Sequence, residues 1–421
     1  MRIVGGHRFS GEIDVPGDKS ESHRVVLISA LADGISRISG LSNGDDVART
    51  LASVEDLGVR TTIDVSGVTV AGGLRLPAQE VSVDLGNSGT GLRLMVGAVV
   101  GRGPGIVSFR GDESLSARPM DRVTLPLSQM GGGFQGVGDR QGLPLVVTAP
   151  SDITGISYDV PVPSAQVKSA ILFAGLGANS ATTVRESVDT RRATEELMAD
   201  AGIAIAETRD ETGARVVTVE PGIPAARDWQ VGRDPSQAAF FLVAAALSPS
   251  GRVRIENLVR DPARWGFLDV IERSGARVVR SSNHRIVDVS HGTVLPFTTD
   301  GAEIVGLDEV PILTVWAVMA SGTSTFTNVG ELRHKEVDRL AACADMARKF
   351  GAIATIDGDN LQIEGIGGPT NQQPTIKWRH DHRMVMASAI AGALGAGCEL
   401  EHPEAVNSSF PSFYDVLDSL R

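Results

Sequence analysis

Most of the residues in this chain that could do chemistry lie in a few short polar loops. Lys19, Ser20 and Arg24 fall in VPGDKSESHR at 15–24, and Gly89 and Arg93 in DLGNSGTGLR at 84–93. Arg118 lies in SARPMDR at 116–122, and Ser164 and Gln166 in VPVPSAQVKSA at 160–170. Asp308 and Glu309 follow in GLDEVPILTV at 306–315, then RHKEVDR at 333–339, and finally His380-Asp381-His382-Arg383. A lysine ammonium beside a forked guanidinium suits phosphate and carboxylate together, although Ser20 could equally be a simple helix cap. Gly89 could let an anion approach the backbone or only serve a turn. Ser164 and Gln166 offer neutral hydrogen bonds, and capping alone would explain Ser164. An arginine placed like Arg118, just before a proline, is ordinarily a surface charge. Lys335 and Arg339, four apart, should share a helix face, which disfavours an isolated helix unless an anion sits between them. His380 and His382 flank an aspartate with no third ligand at metal-like spacing. Proton transfer or anion binding is therefore expected there instead of a metal.

Six stretches that share one plan must position these residues. They open at 15, 84, 160, 231, 306 and 377, a spacing of roughly 70 to 75 residues that marks a repeated supersecondary unit. Each runs from a short apolar segment through a tight polar loop into a long helix that is apolar all round, as in AAFFLVAAAL and MVMASAIAGALGA. Such helices are buried, so three are expected in the middle of each domain. The order strand, helix, strand, helix, strand implies an α/β fold with parallel pairs joined by right-handed crossovers. IDV at 13–15 reads as the strand that opens the first unit, although this first strand could pair with either half. Pro221 to Gly232 reads as a linker between two sets of three units. The polar loops all fall at helix N-termini, where unpaired N–H groups and the macrodipole attract anions.

Composition narrows the function. With 421 residues two domains are the default, and 42% apolar with 21% charged residues describes an ordinary soluble protein. A net charge of −12 and few aromatics argue against a nucleic-acid partner or an anionic membrane. The two cysteines, Cys343 and Cys398, have no metal-ligand spacing and fit a reduced, cytoplasmic compartment. No segment reads as a secretory signal or a membrane span.

Taken together and in order, VPGDKSESHR, LGNSGTGLR, ARPMDR, SAQVKSA, DEVP, RHKEVDR and HDHRM closely resemble the 5-enolpyruvylshikimate-3-phosphate synthase family of enolpyruvyl transferases, over essentially the whole chain. The resemblance implies two domains, each of three βαβαββ units with buried helices (an inside-out α/β barrel), closing over substrates at their interface. The expected bounds are 17–228 for one domain and 1–14 with 231–421 for the other, with hinges near 15–17 and 228–232. It implies shikimate 3-phosphate on Lys19, Ser20, Arg24, Ser164, Gln166, Asp308 and Lys335. Phosphoenolpyruvate would lie on Lys19, Gly89, Arg118, Gln166, Arg339 and Arg383. Asp308 is expected as the base, with Lys19, Glu336 and His382 handling the other proton, in a monomer that needs no metal or organic cofactor. Glu21, Arg192, His334, His380 and Ser408 depart from the family pattern and bear on the identity of the acceptor. The related transferase acting on UDP-N-acetylglucosamine usually opens its first loop with Lys-Asn and carries a reactive cysteine, whereas this chain has Lys19-Ser20 and no cysteine between Gly111 and Arg118. A paralogue with another shikimate-like acceptor and a non-catalytic anion-binding protein are the remaining alternatives.

Overall fold

The computed structural model describes residues 1–259, 261–283 and 285–420. The chain divides into two units, one of Gly17–Val231 and one of Met1–Pro16 with Gly232–Arg421. Among the described residues the strands form six sheets built on one pattern. In the second repeat, Val81–Asp84 runs parallel to Gly105–Arg110, with the helix Gly89–Val100 between them in sequence. Gly142–Ala149 then pairs antiparallel with Gly105–Arg110 and forms a hairpin with Gly133–Val137. Five of the six repeats thus end in a hairpin, one strand more than the simple alternation read from periodicity, and the sixth sheet has three strands. Along Gly142–Ala149 every second residue is buried, from Leu143 to Ala149, so one face of the sheet meets the core.

Six central helices lie behind the sheets: Lys19–Leu31, Gly89–Val100 and Ala165–Gly175 in the first unit, Pro235–Leu247, Val310–Met319 and His382–Leu394 in the second. The fourth is buried along its whole length. No polar stripe faces water on such a helix, and its stability comes from packing on all sides. The second and third central helices approach so closely that a Cβ on Gly97 would lie 2.1 Å from the Ala170 carbonyl oxygen. The second helices of the repeats, such as Asp45–Asp56 and Gly266–Arg273, bury one face only. Phe413, at the start of the last helix, packs edge-on to Phe240 with ring centroids 6.3 Å apart, which anchors the C-terminus to the fourth central helix.

IDV itself forms no strand. Ser10–Glu12, just ahead of it, runs parallel to Arg252–Ile255 and so joins the fourth repeat, a pairing the sequence left open and the bounds of 1–14 with 231–421 imply. The first repeat takes its parallel strand from Asp228–Gln230, which pairs with Ile35–Ser39. The stretch read as a linker therefore contains a strand, anchored by the buried Trp229. The sixth sheet is filled out by Arg2–Val4, antiparallel to Gly397–Leu400. Among the described residues no helix is long and apolar enough to cross a membrane.

Candidate active site

In Gly17–Val231 each central helix starts with a side-chain cap. Asp18 accepts from the Glu21 amide at 2.7 Å, Ser88 from Gly91 at 3.2 Å and Ser164 from Val167 at 3.4 Å. Lys19, the first helical residue, donates to Asp46 Oδ2 at 2.9 Å and is only 12% exposed. Arg24, one turn on, is buried and holds three oxygens: Ser20 O at 2.8 Å, Thr194 Oγ1 at 2.6 Å and Ser169 Oγ at 2.9 Å. Arg191 donates to Ser20 Oγ at 3.4 Å from the far side. His23 between them is fully buried, its Nδ1 2.8 Å from Thr50 Oγ1. Burial, and then the charges of Lys19 and Arg24, hold its pKa well below the ordinary imidazole value.

Gln166 links the second and third helices, accepting from Arg93 and donating to Thr90 Oγ1 at 2.9 Å. Arg118 is not a free surface charge. It donates to Asn87 Oδ1 and Ser114 Oγ and lies over Gly89, where a Cβ would be 2.7 Å from its NH1. A larger residue there would push the end of that guanidinium aside. Ser164 caps its helix two residues before Gln166.

In the other unit Asp308 gathers cations. Arg339 approaches its carboxylate at 3.4 Å, Arg383 at 3.5 Å and Lys335 at 3.9 Å. Arg339 is fully buried and also holds Asp381 Oδ2 at 2.9 Å and Glu336. Burial opposes its charge, but Asp381, Glu336 and Asp308 outweigh that and raise its pKa above the ordinary guanidinium value. Asp381 Oδ1 caps the sixth central helix, accepting from the amides of Arg383 at 3.0 Å and Met384 at 3.1 Å. The aspartate between the two histidines is therefore occupied as a cap and an arginine partner. His382 is buried as the first residue of that helix.

Lys335 and Arg339 do not share a helix face. Lys335 ends a 3₁₀ turn over Gly330–His334, and Asp338 caps a helix that begins only at Arg339. The anion expected between them is nevertheless present as the Asp308 carboxylate. Sequence reasoning missed Asp46 and Arg191. Asp46 sits in an Asp-Asp helix start that reads as ordinary dipole stabilisation, and Arg191 reaches Ser20 from 171 residues away.

Two units of repeated, hairpin-ended α/β modules with anion-seeking helix ends define an enolpyruvyl transferase architecture. The solved enolpyruvyl transferase NikO from Streptomyces tendae shares this fold with a TM-score of 0.78 at 17% identity, covering 100% of this chain and 96% of that one. The family described as EPSP synthase (3-phosphoshikimate 1-carboxyvinyltransferase) matches residues 3–417, and the chain belongs to it. It is 37% identical over 430 residues to the 3-phosphoshikimate 1-carboxyvinyltransferase of Streptococcus pyogenes serotype M1, covering 98% of this chain and 96% of that protein. The EPSP synthase structure from Acinetobacter baumannii superposes with a TM-score of 0.83 at 33% identity, covering 100% of this chain and 97% of that one. The protein is thus a transferase of the shikimate route to the aromatic amino acids.

Proposed function

We propose that this enzyme transfers the enolpyruvyl group of phosphoenolpyruvate to the 5-hydroxyl of shikimate 3-phosphate and releases phosphate. The observation that carries the reading is the Asp308 carboxylate held within 4.0 Å of Lys335, Arg339 and Arg383. In this reading Asp308 takes the proton of the acceptor hydroxyl as its oxygen bonds to C2 of phosphoenolpyruvate, while C3 gains a proton. The resulting tetrahedral adduct breaks its C2–O bond to phosphate and loses a proton from C3, which restores the enol ether. Lys19, Glu336 and His382 are assigned to the C3 proton, a two-way transfer that suits groups whose pKa is set by their surroundings. Asp46, which accepts from Lys19 Nζ at 2.9 Å, orients the ammonium for that role.

Ser20, Arg24, Ser164, Gln166 and Lys335 are assigned to shikimate 3-phosphate alongside Lys19 and Asp308. Arg191, which reaches the Ser20 hydroxyl, joins this group. Phosphoenolpyruvate is assigned to Lys19, Gly89, Arg118, Gln166, Arg339 and Arg383, with the arginines supplying fixed positive charge. The enzyme is read as monomeric and cytoplasmic, consistent with two buried, unbridged cysteines. The test is phosphate release from phosphoenolpyruvate with and without shikimate 3-phosphate. Release that depends on the acceptor is expected, and binding of both ligands without turnover would overturn the reading.

A further inference from the structure

Asp308 follows a turn that the Leu307 amide closes on the Ile304 carbonyl at 2.8 Å, yet one residue of that turn is strained. Gly306 has φ 91° and Leu307 φ 59°. An L-residue with an aliphatic side chain rarely adopts the left-handed region and keeps it only where the surroundings impose it. One restraint is Lys335, whose Nζ donates to the Gly306 carbonyl at 2.8 Å. On the other side of Asp308 lies Glu309, a carboxylate only 3% exposed. It occupies the N-cap position of the fifth central helix yet makes no capping bond with its side chain. It accepts instead from Ser236 Oγ, at the start of the fourth central helix. Arg264 donates to Ser236 Oγ and to Asp234 Oδ1, each at 2.8 Å. Ser236, Arg264 and Asp234 are all 5% exposed or less.

A buried carboxylate is costly unless hydrogen bonds or an opposite charge compensate it, and Ser236 is such a donor here. Neither capping nor the proposed chemistry uses Glu309. What the arrangement does is pin the residue next to Asp308 to a neighbouring helix through a rigid, charge-assisted chain. We propose that Ser236 and Glu309 are positioning residues, which with Lys335 fix the strained Gly306–Glu309 turn so that the Asp308 carboxylate meets its three cations and the reacting hydroxyl. The proposal rests on the reading of Asp308 as the base and adds what holds it there.

The experiment is a double-mutant cycle on the full chain: Ser236→Ala, Asp308→Asn and the two combined. It reads kcat, both Michaelis constants and the melting temperature. Ser236→Ala is expected to lower kcat about tenfold, short of the roughly 10²-fold that a full ångström of misplacement can cost. Both Michaelis constants should stay within about twofold, and the loss should vanish in the Asp308→Asn background, since a residue acting through Asp308 has nothing left to position. Losses that multiply in the double variant overturn the proposal. So does a Ser236→Ala enzyme of unchanged kcat that merely melts earlier. Should Ser236→Ala not fold, Ser236→Cys, close in volume and a weaker donor, is judged by the same criteria. Failure of the base reading looks different. Asp308→Asn would then raise the acceptor's Michaelis constant and spare kcat, and Ser236→Ala, still non-additive with it, would do the same.

Discussion

The candidate-site arginines of the two units have different partners. In Gly17–Val231, Arg24, Arg93 and Arg118 donate to hydroxyl, amide and carbonyl oxygens of Ser20, Ser169, Thr194, Gln166 and Asn87. In the other unit Lys335, Arg339 and Arg383 converge on Asp308, and Arg339 holds Glu336 and Asp381 as well. Neutral oxygens orient a guanidinium without cancelling its charge, so an incoming anion meets most of it. Carboxylates do cancel it, and they hold Arg339 in its charged form against the cost of burial. The first arrangement suits binding and the second suits proton transfer. Lys19 crosses this division, because it pairs with the Asp46 carboxylate.

Lys19→Met tests that crossing and should have the largest effect. Turnover falls about 10²- to 10³-fold, as when a preorganised charge contact is removed. A variant keeping more than a tenth of its rate would take Lys19 out of the machinery. Asp308→Asn should follow, lowering kcat by roughly 10² while both Michaelis constants hold, since the amide keeps the shape and loses the base. A collapse of acceptor affinity would instead make the second cluster a binding site like the first.

Gly89→Ala sharpens the other side of the contrast. The new methyl displaces Arg118, so the Michaelis constant for phosphoenolpyruvate rises about tenfold, the scale of one charged hydrogen bond. Steady-state kinetics checks this, and a fall in kcat at unchanged Michaelis constant would contradict it. The smallest effect concerns His23, held neutral by burial among cations. The unfolded chain takes up this proton near pH 6.5 and the folded chain resists it, so stability drops as pH falls below 6.5. His23→Asn should therefore shrink the difference in melting temperature between about pH 7 and about pH 5. An unchanged difference would show that the imidazole titrates in the folded state as it does in the unfolded one.

The central helices were legible because AAFFLVAAAL and its counterparts allow no solvent face. The polar loops were legible because they recur at the same point of every repeat. The exchanged strands were not, since Asp228–Gln230 is three residues long with one buried apolar side chain and finds its partner far away in sequence. Lys335 and Arg339 break helical spacing for a local reason. Aspartate is a preferred N-cap, and Asp338 starts the helix after the lysine. Ser236 and Glu309 are 73 residues apart and each looks like an ordinary helix-start residue, so no single-sequence pattern joins them.

The exchanged strands also decide the order in which the protein can be completed as it is made. Gly17–Val231 is continuous, and its last strand closes against Ile35–Ser39 as soon as Asp228–Gln230 emerges. Ser10–Glu12, synthesised before any of it, has no partner until Arg252–Ile255 has left the ribosome, tens of seconds later at ~5–20 residues per second. Arg2–Val4 waits longer still, for Gly397–Leu400. Both strands are thus held in reserve while an entire unit folds behind them. A fragment ending at Val231 keeps every strand of its own sheets, and one beginning at Gly232 is born without two of its own.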